Sequence, residues 1–104
     1  MGKSAKANDE LLRRYAWKED LWLHAKDVSG SHVLIKARSG LNFPKDVLEY
    51  AAGLAAYYSK YKQESLAPIA YTPAKYVRKV KGSAPGAVMV DREKVVLVAP
   101  LTPQ

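Results

Sequence analysis

The chain of 104 residues has the usual length of one domain and is long enough to bury a core without disulfides or metal. Its 17 lysines and arginines against 10 acidic residues give a net charge of +7 and a pI near 9.7, which favours a polyanionic partner, although a merely solvated basic surface would carry the same charge. The absence of cysteine excludes disulfides, thiolate zinc ligands and a cysteine nucleophile, and it fits a cytoplasmic protein.

The N-terminal segment predicts a short helix after a flexible or peripheral lead-in. Residues 1–8 are small and polar and end at Asn8 or Asp9 as a candidate N-cap. Apolar residues then recur at helical spacing over residues 9–17. The lead-in has no apolar run of the kind found in secretory signals. No stretch approaches the roughly 18 apolar residues that cross a bilayer, so we expect no membrane partner.

A β-hairpin is predicted next. The apolar period changes from 3.6 to 2 over residues 21–26, which indicates the first strand. Residues 27–31 are typical of a turn, because Gly30 adopts positive φ at little steric cost. The second strand is then predicted over residues 32–38.

The principal helix is predicted over residues 44–62. Pro44 is suited to the first helical position, where its missing N–H would be unbonded in any case. The alanine-rich middle of this helix, residues 51–56, offers a smooth surface for close packing on a sheet.

The C-terminal half predicts further strands and little helix. Residues 81–86 form the clearest loop, and residues 91–94 are predicted to be a hairpin turn. The strands are predicted over residues 69–72, 75–80, 87–90 and 95–99. We therefore predict a single α+β domain, residues 1–104, with a mainly antiparallel sheet, one long helix on one face and a short N-terminal helix. The second sheet face would be free to bind, and no Gly-rich phosphate motif predicts ATP binding.

The first strand carries a chemically distinctive face. Alternation places Asp20, Trp22, His24 and Lys26 on one side of the strand. An outward Trp22 would stack on a base, worth about 1–3 kcal/mol, while Asp20 and His24 would hydrogen-bond base edges or the ribose 2′-hydroxyl of RNA. The alternative interpretation is that Trp22 belongs to the core and Asp20 only holds a turn.

Two histidines are predicted to face each other across the hairpin. With Asp20 or Asp27, His24 and His32 would suggest a metal site or a hydrolytic acid–base pair. A closed zinc site usually needs four ligands, so this pattern is a weak signal and we predict neither a metal nor another cofactor. A structural hydrogen bond is the commoner role of such a histidine.

A basic segment lies near the C-terminus. Four cations within seven residues surround Tyr76, a combination suited to a phosphate backbone and an exposed base. An edge strand protected from aggregation by lysines is the competing interpretation. The cations of this basic segment, residues 75–81, are Lys75, Arg78, Lys79 and Lys81.

Several motifs together resemble a known family. The order and spacing of the motifs over residues 2–100 are similar to those of the NFACT-R module, the RNA-binding domain near the C-terminus of the NFACT proteins. The matching motifs are Asn8-Asp-Glu-Leu11, Asp20-Leu-Trp-Leu-His-Ala-Lys26, Gly30-Ser-His-Val33, Ala55-Ala-Tyr-Tyr-Ser-Lys60 and Lys79-Val-Lys-Gly-Ser-Ala-Pro-Gly86.

The resemblance implies a non-enzymatic RNA-binding module in ribosome-associated quality control. Its partners would be tRNA and the ribosomal RNA of the large subunit, together with other NFACT domains if this is an excised domain and not a stand-alone version. The family's Asp-x-Trp-x-His signature falls on Asp20, Trp22 and His24. Extension of a stalled peptide by a C-terminal tail is a property of full-length members, so we do not assign it to these residues alone. A metal-assisted phosphodiesterase and a ribosomal-protein docking domain are the alternatives.

The predicted RNA-binding residues come from two segments. The hairpin contributes Asp20, Trp22, His24, Lys26 and His32. The basic segment contributes Lys75, Tyr76, Arg78, Lys79 and Lys81.

Overall fold

A computed structural model describes residues 4–37, 43–79, 81–84 and 87–102 of the chain. No helix among these residues is long and apolar enough to cross a membrane. The elements in chain order are α1 (Ala5–Glu10) with a π-helical continuation (Leu11–Tyr15), β1 (Leu21–Ala25), β2 (Val33–Ile35), α2 (Lys45–Tyr57), β3 (Ala67–Pro73), a 3-10 turn (Ala74–Tyr76), β4 (Val77–Arg78), β5 (Met89–Val90) and β6 (Lys94–Val98).

The main sheet has four antiparallel strands in the order β2-β1-β3-β6. Leu23 at the centre of β1 lies opposite Val33 on one side and Tyr71 on the other. The predicted α+β class and the hairpin of β1 with β2 are therefore confirmed.

The core forms between α2 and one face of this sheet. The alanines of α2 let the helix approach closely, and Ala52, Ala55 and Ala56 are fully buried against the strands that carry Leu23 and Ile69. Packing of small helix residues on the sheet is therefore confirmed. Burial of this apolar surface supplies the main driving force for folding.

The helix α2 is shorter than predicted. It ends at Tyr57 and not at residue 62, because Tyr58 leaves the helical conformation and the Ser59 hydroxyl donates to the carbonyl oxygen of Ala56 at 2.7 Å. Pro44 is the N-cap of the helix, one position earlier than predicted.

The N-terminal prediction is wrong for residues 4–8, while residues 1–3 lie outside the described chain. Ser4 is the N-cap, and its hydroxyl accepts a hydrogen bond from the backbone N–H of Ala7 at 3.1 Å. Asn8 lies inside α1 and is buried. A side chain held in this way belongs to the fold and not to a flexible lead-in.

The predicted hairpin near the C-terminus is also wrong. β5 pairs with β4 in a separate two-stranded sheet, whereas β6 pairs with β3 in the main sheet. Residues 91–93 therefore connect two sheets, with Arg92 at a φ of 55°. The strand predicted over residues 75–80 is mostly the 3-10 turn and the two residues of β4, and Val80 lies outside the described residues.

The second strand of the first hairpin is shorter than the predicted residues 32–38. It ends at Ile35, and the backbone N–H of Ala37 donates to a carboxylate oxygen of Asp20 at 2.8 Å. Arg38, the predicted end of the strand, lies outside the described residues.

Candidate nucleic-acid interface

Asp20 is a structural residue at the start of β1. Its carboxylate accepts hydrogen bonds from the backbone N–H groups of Trp17 and Ala37, both at 2.8 Å, and pairs with the Lys36 ammonium. The side chain is 1% exposed, so the prediction that it faces outward is wrong. Burial alone would raise the pKa of the Asp20 carboxyl, but the hydrogen bonds and the Lys36 charge outweigh it and hold the pKa below its ordinary value.

Trp22 is likewise buried, at 2% exposure, and the outward orientation predicted for it is wrong. Strand alternation does place it on the sheet face opposite α2, but other parts of the chain cover that face. Thr72, its partner on β3, is 1% exposed and lies within hydrogen-bonding distance of the Asp91 carbonyl oxygen, at 3.3 Å. The predicted open second face is therefore closed at this point.

The Trp22 indole forms an aromatic cluster with the two histidines. The His24 ring stacks on the indole at 5.7 Å between centroids, and the His32 ring meets it edge-on at 5.3 Å. The two imidazoles lie 4.9 Å apart, so their predicted approach across the hairpin is confirmed. The indole N–H of Trp22 has no hydrogen-bond partner among the described residues.

His24 is the accessible member of this cluster, because it is half-buried while His32 is 1% exposed. Burial lowers the pKa of His24, and hydrogen bonding with backbone groups of Gly30 and Ala25 opposes this only in part. His24 is therefore neutral at pH 7, with one ring nitrogen as donor and the other as acceptor. Within the described chain, no three His, Asp or Glu side chains are grouped so that they could hold a metal ion.

An open pocket of about 1010 Å³ lies beside this cluster. Its lining comes from α1, β1, the loop after β1, the end of α2 and the segment that leads into β5. Hydroxyl groups, the two imidazoles and short apolar side chains dominate it. The lining includes Asn8, Trp22, His24, Ser29, Ser31, His32, Ser59, Lys60, Ala70, Ala87 and Val88.

Asn8 fastens α1 to the rim of this pocket. Its side-chain amide donates to the Gly30 carbonyl oxygen at 3.1 Å, and its side-chain oxygen accepts from the His32 backbone N–H at 2.9 Å. The other side of the same loop meets the end of α2, where Gly30 pairs with Ser59. A Cβ at Gly30 would lie 2.8 Å from the Ser59 Cβ, so the close approach requires glycine.

Lys26 lies at the edge of the pocket. Its ammonium forms an ion pair with Glu93 at 2.6 Å, which raises the pKa of the lysine, and its backbone carbonyl accepts from the Tyr61 hydroxyl at 2.6 Å. With Lys60 and Asp27 also in the lining, the charges around the pocket nearly balance. The pocket thus offers hydrogen-bonding groups more than net charge.

The basic segment is on the surface, as predicted, but most of its cations are paired. Lys75 pairs with Glu19 at 3.0 Å, Arg78 pairs with Asp91 at 3.2 Å, and Lys79 lies 3.5 Å from Asp9. Lys81 is exposed. Tyr76 is half-buried, with the Lys75 ammonium at 5.5 Å and the Arg92 guanidinium at 5.3 Å from its ring centroid.

The sequence did not predict the exposure of one segment that carries aromatic and basic residues. Residues 13–18, Arg-Arg-Tyr-Ala-Trp-Lys, present two large aromatic rings to solvent, with Tyr15 at 64% and Trp17 at 55% exposure. The helical spacing of apolar residues over 9–17 includes Tyr15 and predicts it on the apolar face of the short helix. The available signal was the dense mixture of arginine, lysine and aromatic residues, the same signal that identified the basic segment.

Comparison with known proteins agrees with the motifs that converge on the pocket. The family model described as the NFACT protein RNA binding domain matches residues 1–92. The chain belongs to the NFACT RNA-binding domain family. A curated relative, the Rqc2 homolog RqcH of Bacillus subtilis, is 42% identical over 100 residues that cover 96% of this chain and 17% of the relative. The chain thus spans about a sixth of that protein's length.

Two further matches extend the comparison. The coiled-coil domain-containing protein 25 homolog of Dictyostelium discoideum is 32% identical over 92% of this chain and 48% of its own length. The solved structure of the C-terminal part of the fibronectin/fibrinogen-binding protein of Streptococcus suis superposes with a TM-score of 0.88 at 40% identity. The superposition covers 96% of this chain and 39% of the Streptococcus suis chain.

Proposed function

We propose that this NFACT-R domain is a non-enzymatic module that binds tRNA or the ribosomal RNA of the large subunit, in cytoplasmic ribosome-associated quality control. The family description and the relatives named Rqc2 homolog support this role. The observation that carries the proposal is the convergence of the family-like motifs. Four segments of the chain meet around one pocket, namely α1 with Asn8, β1 with Trp22 and His24, the loop after β1 with Gly30, and the end of α2 with Ser59.

In this proposal the pocket receives a neutral part of the RNA, a base edge or a ribose. Neutral His24 has one ring N–H, which its backbone contacts engage, so it offers an acceptor nitrogen, while the serine hydroxyls in the pocket lining supply donors. Such groups recognise base edges and the 2′-hydroxyl of RNA. Trp22 then acts by orienting the His24 ring, while Asp20 and His32 hold the surrounding backbone and rings in place.

The phosphate contacts come from the basic segment and from Lys26. The ion pairs of Lys75, Arg78 and Lys79 are partly exposed, and pairs of this kind contribute only about 0–1 kcal/mol. These cations can therefore exchange their carboxylate partners for RNA phosphates at a small cost in free energy. Lys81 needs no such exchange, since it forms no ion pair with a described residue.

Titration of labelled tRNA at several salt concentrations tests the proposal. The Lys79→Ala/Lys81→Ala variant should bind more weakly, and the slope of log affinity against log salt should fall by roughly 0.7–0.9 for each phosphate that the variant no longer neutralises. His24→Ala should lose affinity with little change in this slope, because a neutral side chain releases no counterions. The charge-matched control, Lys45→Ala/Lys94→Ala, removes two exposed lysines outside the proposed site and should keep most of the affinity.

Three results would overturn the proposal. The site assignment fails if both site variants bind tRNA as the wild type does. Cleavage of RNA that a chelator stops would favour the phosphodiesterase alternative. Ribosome association that survives nuclease treatment, without measurable affinity for free RNA, would favour docking on a ribosomal protein.

A further inference from the structure

The exposed segment of residues 13–18 combines large exposed aromatic rings with exposed cations. Tyr15 and Trp17 are 64% and 55% exposed, and Arg13, Arg14 and Lys18 beside them are also exposed. Two chain positions span at most about 7 Å, so the two aromatic residues are close neighbours. Six consecutive residues thus carry two large rings and three positive charges without a carboxylate.

This segment is held in place at its C-terminal end. The π-helical turn ends at Tyr15, whose carbonyl oxygen accepts from the Lys36 ammonium at 2.5 Å. Trp17 donates its backbone N–H to the buried Asp20 carboxylate at 2.8 Å and accepts from the Asp20 N–H at 2.9 Å. The exposure of the rings therefore belongs to an anchored turn, which reduces the entropy lost when a ligand binds.

The cations of the segment are available for an anion. Arg13, Arg14 and Lys18 form no ion pair with any described residue, in contrast to Lys75 and Lys79 of the basic segment. A phosphate would not have to displace a carboxylate from them. Electrostatic attraction of a polyanion is therefore stronger here than along the paired cations.

Residues 13–18 also adjoin the basic segment. The Lys75 backbone N–H donates to the Lys18 carbonyl oxygen at 3.0 Å. On the other side, Arg13 lines a groove of about 550 Å³ together with Lys79 and Lys6, and Asp9 and Glu10 also line it, so that its three cations outnumber its two carboxylates. A strand of RNA that follows the basic segment would thus pass directly onto the exposed rings.

We infer that residues 13–18 form a stacking platform for unpaired bases of RNA, with Trp17 and Tyr15 on the bases and Arg13, Arg14 and Lys18 on the phosphates. This inference rests on the proposed RNA binding and assigns it a second contact region. Unpaired nucleotides expose the faces that aromatic side chains stack on, whereas a duplex does not. Arginine and aromatic residues are also common at protein interfaces, but three cations that form no ion pair with a described carboxylate favour a polyanion.

The two tryptophans of the chain make the inference measurable by fluorescence. Trp22 is buried and Trp17 is exposed, so Trp22→Phe leaves a reporter only at the proposed platform and Trp17→Phe leaves one only in the aromatic cluster. A single-stranded oligoadenylate of about ten nucleotides is titrated against both variants. Its addition should quench the Trp17 signal of Trp22→Phe, whereas any change in the Trp22 signal of Trp17→Phe reports on the pocket of the proposed function and is interpreted separately. If Trp22→Phe does not fold by circular dichroism, the difference between wild type and Trp17→Phe gives the same signal.

Affinity is measured in parallel by the anisotropy of labelled oligoadenylate and labelled tRNA. Tyr15→Ala/Trp17→Ala should weaken oligoadenylate binding by about 5- to 150-fold for each base that no longer stacks. Tyr50→Ala is the matched control, since Tyr50 is an equally exposed aromatic residue, at 60%, on α2. It should bind as the wild type does.

The outcomes separate the inference from the proposed function. If tRNA binds but Trp17 is not quenched and Tyr15→Ala/Trp17→Ala binds normally, the platform is overturned and the proposed RNA binding stands. If the wild type binds neither RNA, both fail. Equal quenching by a duplex RNA of the same length would also overturn the platform, because stacking requires unpaired bases.

Discussion

Replacement of Asp20 distinguishes a structural residue from an RNA contact. Asp20→Ala removes the shared acceptor of Trp17, Lys36 and Ala37 from a site where the carboxylate is 1% exposed. Loss of one partner of a fully buried ion pair costs about 3–5 kcal/mol. Lys36 is 61% exposed and Trp17 lies at the surface, so water replaces part of what is lost. We therefore expect the free energy of unfolding to fall by about 2–4 kcal/mol.

Urea denaturation, followed by far-ultraviolet circular dichroism and by tryptophan fluorescence, measures this loss. Lys36→Met is the matched comparison, because it removes the exposed partner and leaves both backbone hydrogen bonds to Asp20 in place. It should cost less than Asp20→Ala, about 1–3 kcal/mol, because the buried carboxylate loses its charged partner but keeps both backbone donors. The reasoning is refuted if Asp20→Ala changes the free energy of unfolding by less than 0.5 kcal/mol, approximately the effect of an ordinary surface substitution. It is also refuted if the variant keeps full stability and loses RNA affinity.

Three further predictions concern the same region. The Asp20 pKa is lowered in the folded state, so the ionised carboxylate should stabilise the fold fully above its unfolded pKa of about 3.9. This contribution to the free energy of unfolding should be lost as the pH falls through the folded pKa. The acid titration of Asp20→Asn should not show this loss. Gly30→Ala should cost about 1–3 kcal/mol in urea denaturation because the new methyl group meets Ser59, and an unchanged midpoint would contradict the contact. Asn8→Leu should cost about 1–3 kcal/mol, since the His32 N–H loses the Asn8 acceptor and the Gly30 carbonyl oxygen keeps only its contact with His24, and amide exchange at His32 should accelerate.

Local patterns in the sequence were sufficient for the first hairpin and the main helix. Alternation over residues 21–26 assigned Leu23 to the core face and Trp22 to the opposite face, as the structure has them. The alanine-rich stretch indicated a helix packed closely on the sheet. Both assignments depend on the periodicity of apolar side chains, which backbone geometry fixes and which can be recognised from the sequence without knowledge of the tertiary structure.

The errors concern contacts between residues far apart in the chain. The period of β1 specifies the face of Trp22 but not what covers that face, which is decided by α1 and by residues 87–92. In the same way, β5 and β6 are separated by a short turn-like sequence that is compatible with a hairpin. Pairing with β4 and β3 directs them into different sheets. In both cases the contacts are made by segments far away in the sequence, so a local pattern could not predict them.

The burial of Trp22 and the exposure of Trp17 determine how a loss of RNA affinity on substitution is to be interpreted. The signature residues Asp20 and Trp22 support the fold, so substitutions there should reduce RNA affinity together with stability. Trp17 and Lys81 are exposed, so substitutions there should reduce affinity alone. A loss of binding identifies an RNA contact only when the free energy of unfolding is unchanged. Of the three signature residues, His24 alone has a partly exposed side chain, so we expect His24→Ala to lower RNA affinity with the smallest change in the free energy of unfolding.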